Sequence, residues 1–374
     1  MDSTLNNSQL SYFARLDFLR FLAVSLVIIQ HWFKTPINQF ELGSIGVIIF
    51  FVLSGFLITR ILLNSKQKIK NKNLSLQRAL YVFYMRRTLR IFPIYYLLIF
   101  FLFLFNHPIV KENFWWFFFY ASNIKTYIDQ EWLRTLGPLW SLAVEEQFYL
   151  VWPTLILLIN PKNIGKLLST FVVLGPIFRL LSILIAEATF GNVNYHISGI
   201  VLMPCNIDAF AIGGLLALKL FDSNYANSLQ LLKSPLKWLF FIPFIGIYFL
   251  KDNLVFEVLF TSIISGISLI IIDLLIAPQK MKFWDKLTLF QPFVYLGKIS
   301  YGLYLYHGPF FYIMAIFFAV FNKVIKSNLS IITINPFEGN WASFLNVMFL
   351  IFISSISWYI IEKPINKLKK HFRI

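Results

Sequence analysis

The chain has 374 residues, of which 58% are hydrophobic and 13% charged, with a formal net charge of +16 and a mean hydropathy of +0.70. That balance excludes an ordinary soluble domain and fits a polytopic membrane protein. The single cysteine, Cys205, excludes an intrachain disulfide and a cysteine-cluster metal site.

The first residues, MDSTLNNSQLSYFAR, are polar and lack the basic start and short apolar core of a cleaved signal, so the first helix is expected to stay in the mature protein. Apolar stretches then predict membrane helices over about 17–33, 43–63, 90–106, 139–159, 167–187, 200–221, 236–250, 254–276, 297–321 and 342–362. The expected fold is all-α, a polytopic integral membrane helix bundle of about ten transmembrane helices in a single domain over 1–374. The aromatic stretch Phe114–Tyr120 is too short to span and reads as an interfacial or re-entrant piece. Lysine and arginine orient the bundle. From Arg60 to Arg90 there are nine basic residues and no acidic one, and the tail carries Lys363, Lys367, Lys369, Lys370 and Arg373. The segment 107–138 is balanced, and 188–199 has no lysine or arginine. The 322–341 loop, with Lys323 and Lys326 against Glu338, runs against the trend. Both termini are therefore predicted to be cytoplasmic. The excess positive charge suits the anionic lipids of the inner leaflet, and no basic domain stands outside the membrane to bind nucleic acid.

Several polar side chains fall at membrane depth, where an ionisable group is by default a functional hypothesis. Arg20 and His31 share the first helix, separated by roughly 16 Å along its axis, so one sits near each membrane face. Gly43, Gly46 and Gly55 in the second helix permit close helix approach or passage of a slim ligand. Arg86, Arg87 and Arg90 lie where the third span enters the membrane, with Arg86 and Arg90 on one helix face. They read either as an anchor to lipid headgroups or as a dock for a phosphate-bearing cosubstrate. Glu145 and Glu146 are adjacent in the fourth span and need two different partners. Glu145 has a computed depth close to that of His31. The two are expected to pair, unless His31 merely satisfies a contact between helices. Ser141 lies four residues before Glu145, with nothing to mark it as an activated nucleophile. Arg179 and Asp208 read as a structural ion pair before direct chemistry. His307 reads as a core histidine bonded to a tyrosine or as a pore-lining donor, Glu362 as a structural cap, and Cys205 as a small buried residue.

Taken together, the segments RLDFLRFLAVSLVIIQHW, GVIIFFVLSGFLITR, FYMRRTLRIFPIYY, LWSLAVEEQFYLVWP, IDAFAIGGLLA, LGKISYGLYLYHGPF and WYIIEKP resemble the acyltransferase 3 family of integral membrane O-acyltransferases. They occur in the family's order over essentially the whole chain. The resemblance implies about ten membrane helices with cytoplasmic ends in a bacterial cytoplasmic membrane. It implies a catalytic role for His31 with Arg20, use of acyl-CoA by Arg86, Arg87 and Arg90, and a functional carboxylate at Glu145. The chain departs from many relatives in carrying Gly137, Pro138 and Leu139 before Trp140, where they have a histidine, so that histidine's role does not transfer. Some relatives continue into a soluble hydrolase-like domain that helps deliver the acyl group. Its absence here is expected to mean a stand-alone transferase, or one served by a separate periplasmic or extracellular partner.

The expected activity is transfer of an acetyl or other short acyl group from acyl-CoA, a cosubstrate and not a resident cofactor, to a hydroxyl of a cell-envelope or exported glycan. Peptidoglycan, lipopolysaccharide, another polysaccharide or a lipid-linked saccharide would serve as acceptor. His31 is the expected base, with Glu145 supporting it. Arg20, Tyr149 and Arg179 are candidate donors to the thioester oxygen, and Trp140, Ser141, Asp208 and His307 complete the expected lining. An acyl-enzyme on His31 is the alternative route. The alternative function is a transporter or flippase for an envelope glycan or lipid-linked substrate, using the same buried charges without covalent chemistry.

Overall fold

The computed structural model describes residues 12–221, 241–251, 253–277, 282–325 and 340–372, and among them there is no β-strand. The secondary structure follows from long apolar stretches whose backbone groups are satisfied within each helix, as a bilayer requires. Helix α1 runs Arg15–Trp32, α2 Leu42–Lys70 and α3 Leu76–Leu104. Three short helices follow, α4 Pro108–Glu112, α5 Phe114–Phe118 and α6 Ser122–Asp129. The aromatic stretch expected to be too short to span is indeed a single short helix, α5. Then come α7 Leu139–Leu158, α8 Ile164–Phe190, short α9 Tyr195–Ile200 and α10 Ile207–Phe221. Beyond the undescribed stretch lie α11 Phe241–Ile247, α12 Leu254–Ile276 and α13 Lys282–Thr288. The chain continues through α14 Gln291–Lys298, α15 Ser300–His307, α16 Phe310–Ile325 and α17 Asn340–Ser357. A π-turn, Trp358–Glu362, leads into the closing α18, Lys363–Lys367.

Among the described residues, six helices are long and apolar enough to cross a membrane: Leu42–Lys70, Leu76–Leu104, Pro161–Phe190, Met203–Phe221, Leu254–Ile276 and Trp341–His371. The chain is therefore a multi-pass membrane protein. Each of the six corresponds to one of the ten expected stretches. The other four differ for visible reasons. Helix α1 carries Arg15, Asp17 and Arg20 in its first two turns, and α7 carries Glu145 and Glu146 at its centre. The expected helix over 236–250 falls partly outside the described residues, and only Phe241–Leu250 is seen. The expected helix over 297–321 is broken at Ile299 and again at Gly308–Pro309. Pro309 brings no N–H to a helix, and a Cβ on Gly308 would collide with the Thr135 carbonyl.

One further boundary differs. Helix α3 begins at Leu76 and not near residue 90, because the Ser75 hydroxyl caps it by accepting the Arg78 N–H at 3.2 Å. Arg86, Arg87 and Arg90 therefore sit inside a long helix, well past its first turns.

Helix α2 is the hub, packed on α1, α7, α10 and α12. Glycine allows its closest approaches. A Cβ on Gly55 would strike the Phe210 backbone, one on Gly213 the Val52 carbonyl, and one on Gly46 the Ala23 carbonyl. This close α1–α2–α10 packing leaves a column of space between α1, α2, α3, α7 and α15, and the polar side chains gather there.

Candidate active site

Three cavities line up along that column. The first, about 340 Å³, is basic: Lys68, Arg86, Arg87, Arg90 and Lys369 line it with Asn64 and Ser65. The second, about 100 Å³, holds Arg20, Ser54, Ser141, Glu145, Glu146 and Tyr149, and it shares Arg87 and Arg90 with the first. The third, about 500 Å³, holds His31, Ser44, Trp132, Trp140, His196 and His307. Val47 and Tyr304 line both the second and the third and form the wall between them.

In the basic cavity the polar continuation of α3 presents Arg86 and Arg90 one turn apart. The chain's last described turn folds back onto α3: Arg86 Nη1 donates to the Phe372 carbonyl at 3.2 Å, and the Tyr81 and Phe372 rings lie 6.0 Å apart. Guanidinium forks and a lysine converging on one hollow are suited to a phosphate-bearing ligand.

In the middle cavity Glu145 accepts a 2.7 Å hydrogen bond from the Ser54 hydroxyl, which also lies 3.1 Å from the Tyr149 hydroxyl. The Arg87 guanidinium lies over the Tyr149 ring, 5.0 Å from its centroid. Arg20 Nη1 pairs with buried Asp17 one turn before it on α1. Cationic and anionic groups thus face one small hollow and leave hydrogen-bonding capacity toward it.

The third cavity belongs to histidines. His31 Nδ1 lies 2.8 Å from the Val27 carbonyl of its own helix. A carbonyl only accepts, so Nδ1 carries the proton and Nε2 is the basic nitrogen. His307 is held in the same way, Nδ1 to the Tyr304 carbonyl at 2.5 Å, and its buried Nε2 has no partner among the described residues. The two imidazole rings lie 5.2 Å apart. Tyr304 is fixed in the wall: its hydroxyl donates to the Pro138 carbonyl at 3.0 Å and lies 2.6 Å from Ser141 Oγ. Trp140 packs edge-on against Phe51.

The structure places the expected residues unevenly. His31, His307 and Trp140 share the third cavity. Arg20, Ser141, Glu145, Tyr149, Arg87 and Arg90 share the second, and Arg86 lines only the first. The expected pairing of His31 with Glu145 is not formed. Glu145 turns to Ser54 on α2, His31 is held by its own helix, and the Val47–Tyr304 wall stands between their cavities. Matched depth fixes height along the bundle but not the direction a side chain faces. Arg179 and Asp208 lie outside all three cavities. They form a fully buried two-bond ion pair at 2.9 and 2.8 Å, with Ser262, the Val258 carbonyl and the Cys205 carbonyl taking up the remaining hydrogen bonds. That is the structural pair expected from sequence, tying α8, α10 and α12 together, and it removes Arg179 and Asp208 from the candidate lining.

Sequence reasoning does not reach Ser54, Ser44, His196 or Glu257. His196, on α9 between two spans, places Nδ1 3.0 Å from Glu257 Oε2 and Nε2 3.4 Å from Ser44 Oγ. Burial works against an imidazolium there, but the hydrogen bond and charge of Glu257 outweigh it and raise the His196 pKa. The available signal was scarcity: the chain has only five histidines, and His196 stands in the segment 188–199, which has no lysine or arginine.

The family profile described as "Acyltransferase domain", acyltransferase 3, matches residues 13–361. Similar curated proteins include the peptidoglycan O-acetyltransferase OatA of Listeria monocytogenes, 30% identical over 386 residues that cover 95% of this chain and 56% of that protein. Another is the O-acetyltransferase OatA of Staphylococcus aureus, 28% identical over 382 residues covering 95% and 57%. The chain spans about half the length of these curated relatives. No solved structure matches.

Proposed function

The chain belongs to the acyltransferase 3 family, and on that premise we propose that it moves an acetyl or other short acyl group from acyl-CoA to a hydroxyl of a cell-envelope glycan. Peptidoglycan is the favoured acceptor, since that is what the Listeria relative's name specifies. The observation that carries the reading is the series of cavities: an arginine cluster at one end, His31 at the other, and shared lining residues between. In this reading the chain lies in a bacterial cytoplasmic membrane with the basic cavity and both termini on the cytoplasmic side.

The phosphates of acyl-CoA dock on Arg86, Arg87 and Arg90, and the slim pantetheine arm carries the thioester into the middle cavity. Tyr304 swings aside so that the acyl group passes into the third cavity. A middle cavity of about 100 Å³ suits a short acyl group. Arg20 and Tyr149 remain as donors to the thioester oxygen; Arg179, bonded elsewhere, does not. His31 Nε2, open to the third cavity, takes the proton of the acceptor hydroxyl. Glu145 acts on the donor side, as a counter-charge to Arg87 and Arg90, and not as the partner of His31.

The test compares membranes holding wild-type chain and His31→Ala at matched protein amount, given acetyl-CoA labelled in the acetyl group and an envelope glycan fraction. Label entering glycan with wild type only supports the reading. Equal labelling keeps the transferase and removes His31 as its base. No labelling from any acyl donor rejects transfer and shifts weight to a transporter.

A further inference from the structure

The Ser44–His196–Glu257 constellation joins three separate elements, the first turn of α2, α9 and the first turn of α12. Glu257 binds one imidazole nitrogen at 3.0 Å and Ser44 faces the other at 3.4 Å. A half-buried His–Glu clamp between two helices would need no hydroxyl on its far nitrogen. Here the far nitrogen meets a serine, and Ser44 and His196 both line the cavity that holds His31. The separation is long for a hydrogen bond, as is common for a nucleophile and its base before substrate binds. Ser44 is in the first turn of α2, where the Leu42 N–H is taken by Gln30 Oε1 and the Ile45 N–H by the Glu41 carbonyl, while those of Gly43 and Ser44 have no acceptor within the helix. Neighbouring Gly43 packs close to α1: a Cβ there would lie 3.2 Å from Gln30 Cγ and 3.8 Å from His31 Cε1, which places this turn of α2 beside the His31 ring. Two other charged groups line the same cavity, Glu41, which binds Lys251 at 3.0 Å, and Arg134.

We propose that Ser44 is an acyl-carrying nucleophile, with His196 as its base and Glu257 as the group that orients His196. The proposal rests on the acyl-transfer reading above for its donor, a thioester. In the loading step Ser44 Oγ bonds to the acyl carbon and the C–S bond breaks. His196 takes the Oγ proton, with Glu257 as counter-charge, and passes it to the departing thiolate. The Gly43 and Ser44 amides in the first turn of α2 stabilise the oxygen of the tetrahedral intermediate. In the unloading step the acceptor hydroxyl adds to the ester carbon and gives its proton to His31 Nε2. The bond from Oγ to the acyl carbon then breaks, and His31 passes that proton to Oγ. Over the cycle one thioester and one alcohol become one ester and one thiol. Both histidines return to their starting states.

The test uses the full chain in nanodiscs, treated in parallel with a fluorophosphonate probe and with acetyl-labelled acetyl-CoA. Acid quenching and peptide mass spectrometry locate the label. The probe is expected to modify Ser44, with a rate about 10-fold or more lower in His196→Gln and reduced in Glu257→Gln. Labelled acetyl should collect on the Ser44 peptide without acceptor and move to glycan fragments when they are added. Ser44→Ala should lower transfer by ~100-fold or more. Failure of the probe to modify Ser44, or transfer by Ser44→Ala at the wild-type rate, overturns the relay. If the probe modifies Ser44 in a His196-dependent way while no acetyl leaves acetyl-CoA, the relay stands and the thioester donor falls.

Discussion

Two sets of ionic groups occupy this bundle, one fully buried and one only partly, and they are built differently. Arg179 and Asp208 are closed on each other, with every remaining hydrogen bond taken by Ser262 or a backbone carbonyl and no exposed side-chain surface. Arg20, Arg87, Arg90, Glu145 and Glu146 instead surround a cavity, with Arg20 paired to Asp17 and Glu145 bonded to Ser54. A saturated pair offers nothing to a ligand, and its interactions are spent on holding helices together. An unsaturated set within the bundle is costly to keep, and the space it faces is the reason to keep it.

Breaking one side of the saturated pair should give the largest effect. Arg179→Ala strands the Asp208 charge and should destabilise the fold by about 3–5 kcal/mol. The check is thermal unfolding in detergent, where Arg179→Met combined with Asp208→Leu should lose much less. For the open set the expectation reverses. Glu145→Gln should leave the unfolding midpoint within a few degrees of wild type while acyl transfer drops by roughly 100-fold. Unfolding of that variant would move Glu145 into the structural class. Smaller again is Arg87→Lys, which keeps the charge but loses the fork; the KM for acyl-CoA should rise about 10-fold with kcat less affected. The smallest effect is a shift in pH dependence. Glu257 raises the His196 pKa, and the neutral imidazole is the active form in the relay. The acid limb of the rate–pH profile should therefore move to lower pH in Glu257→Gln, as the imidazole then loses its proton more easily.

The apolar stretches made most helices legible, because a run such as GVIIFFVLSGFLI has few other places to go. The start of α3 was not legible from hydropathy, since residues 76–89 are polar enough to pass for a loop, and only the Ser75 cap marks the true beginning. Pro309 was a visible breaker whose effect needed the packing of Gly308 on Thr135 to become clear. The arginine cluster and His31 were legible because a charge or an imidazole in an apolar run is conspicuous. The partner of His31 was not, because depth can be counted along a helix while azimuth depends on neighbouring helices. The relay was least legible of all: Ser44 and His196 are 152 residues apart, and His196 and Glu257 are 61 apart. No local spacing encodes that meeting.

The wall made by Val47 and Tyr304 also bears on the cell's energy supply. A column of polar cavities crossing a bilayer is one step from a proton leak, and a leak would drain the gradient that drives ATP synthesis. Tyr304, tied to Pro138 and Ser141 by its hydroxyl, stands where a continuous file of water would have to pass. In the proposed reading the path opens only as an acyl group fills it, so cargo and not solvent occupies the gap.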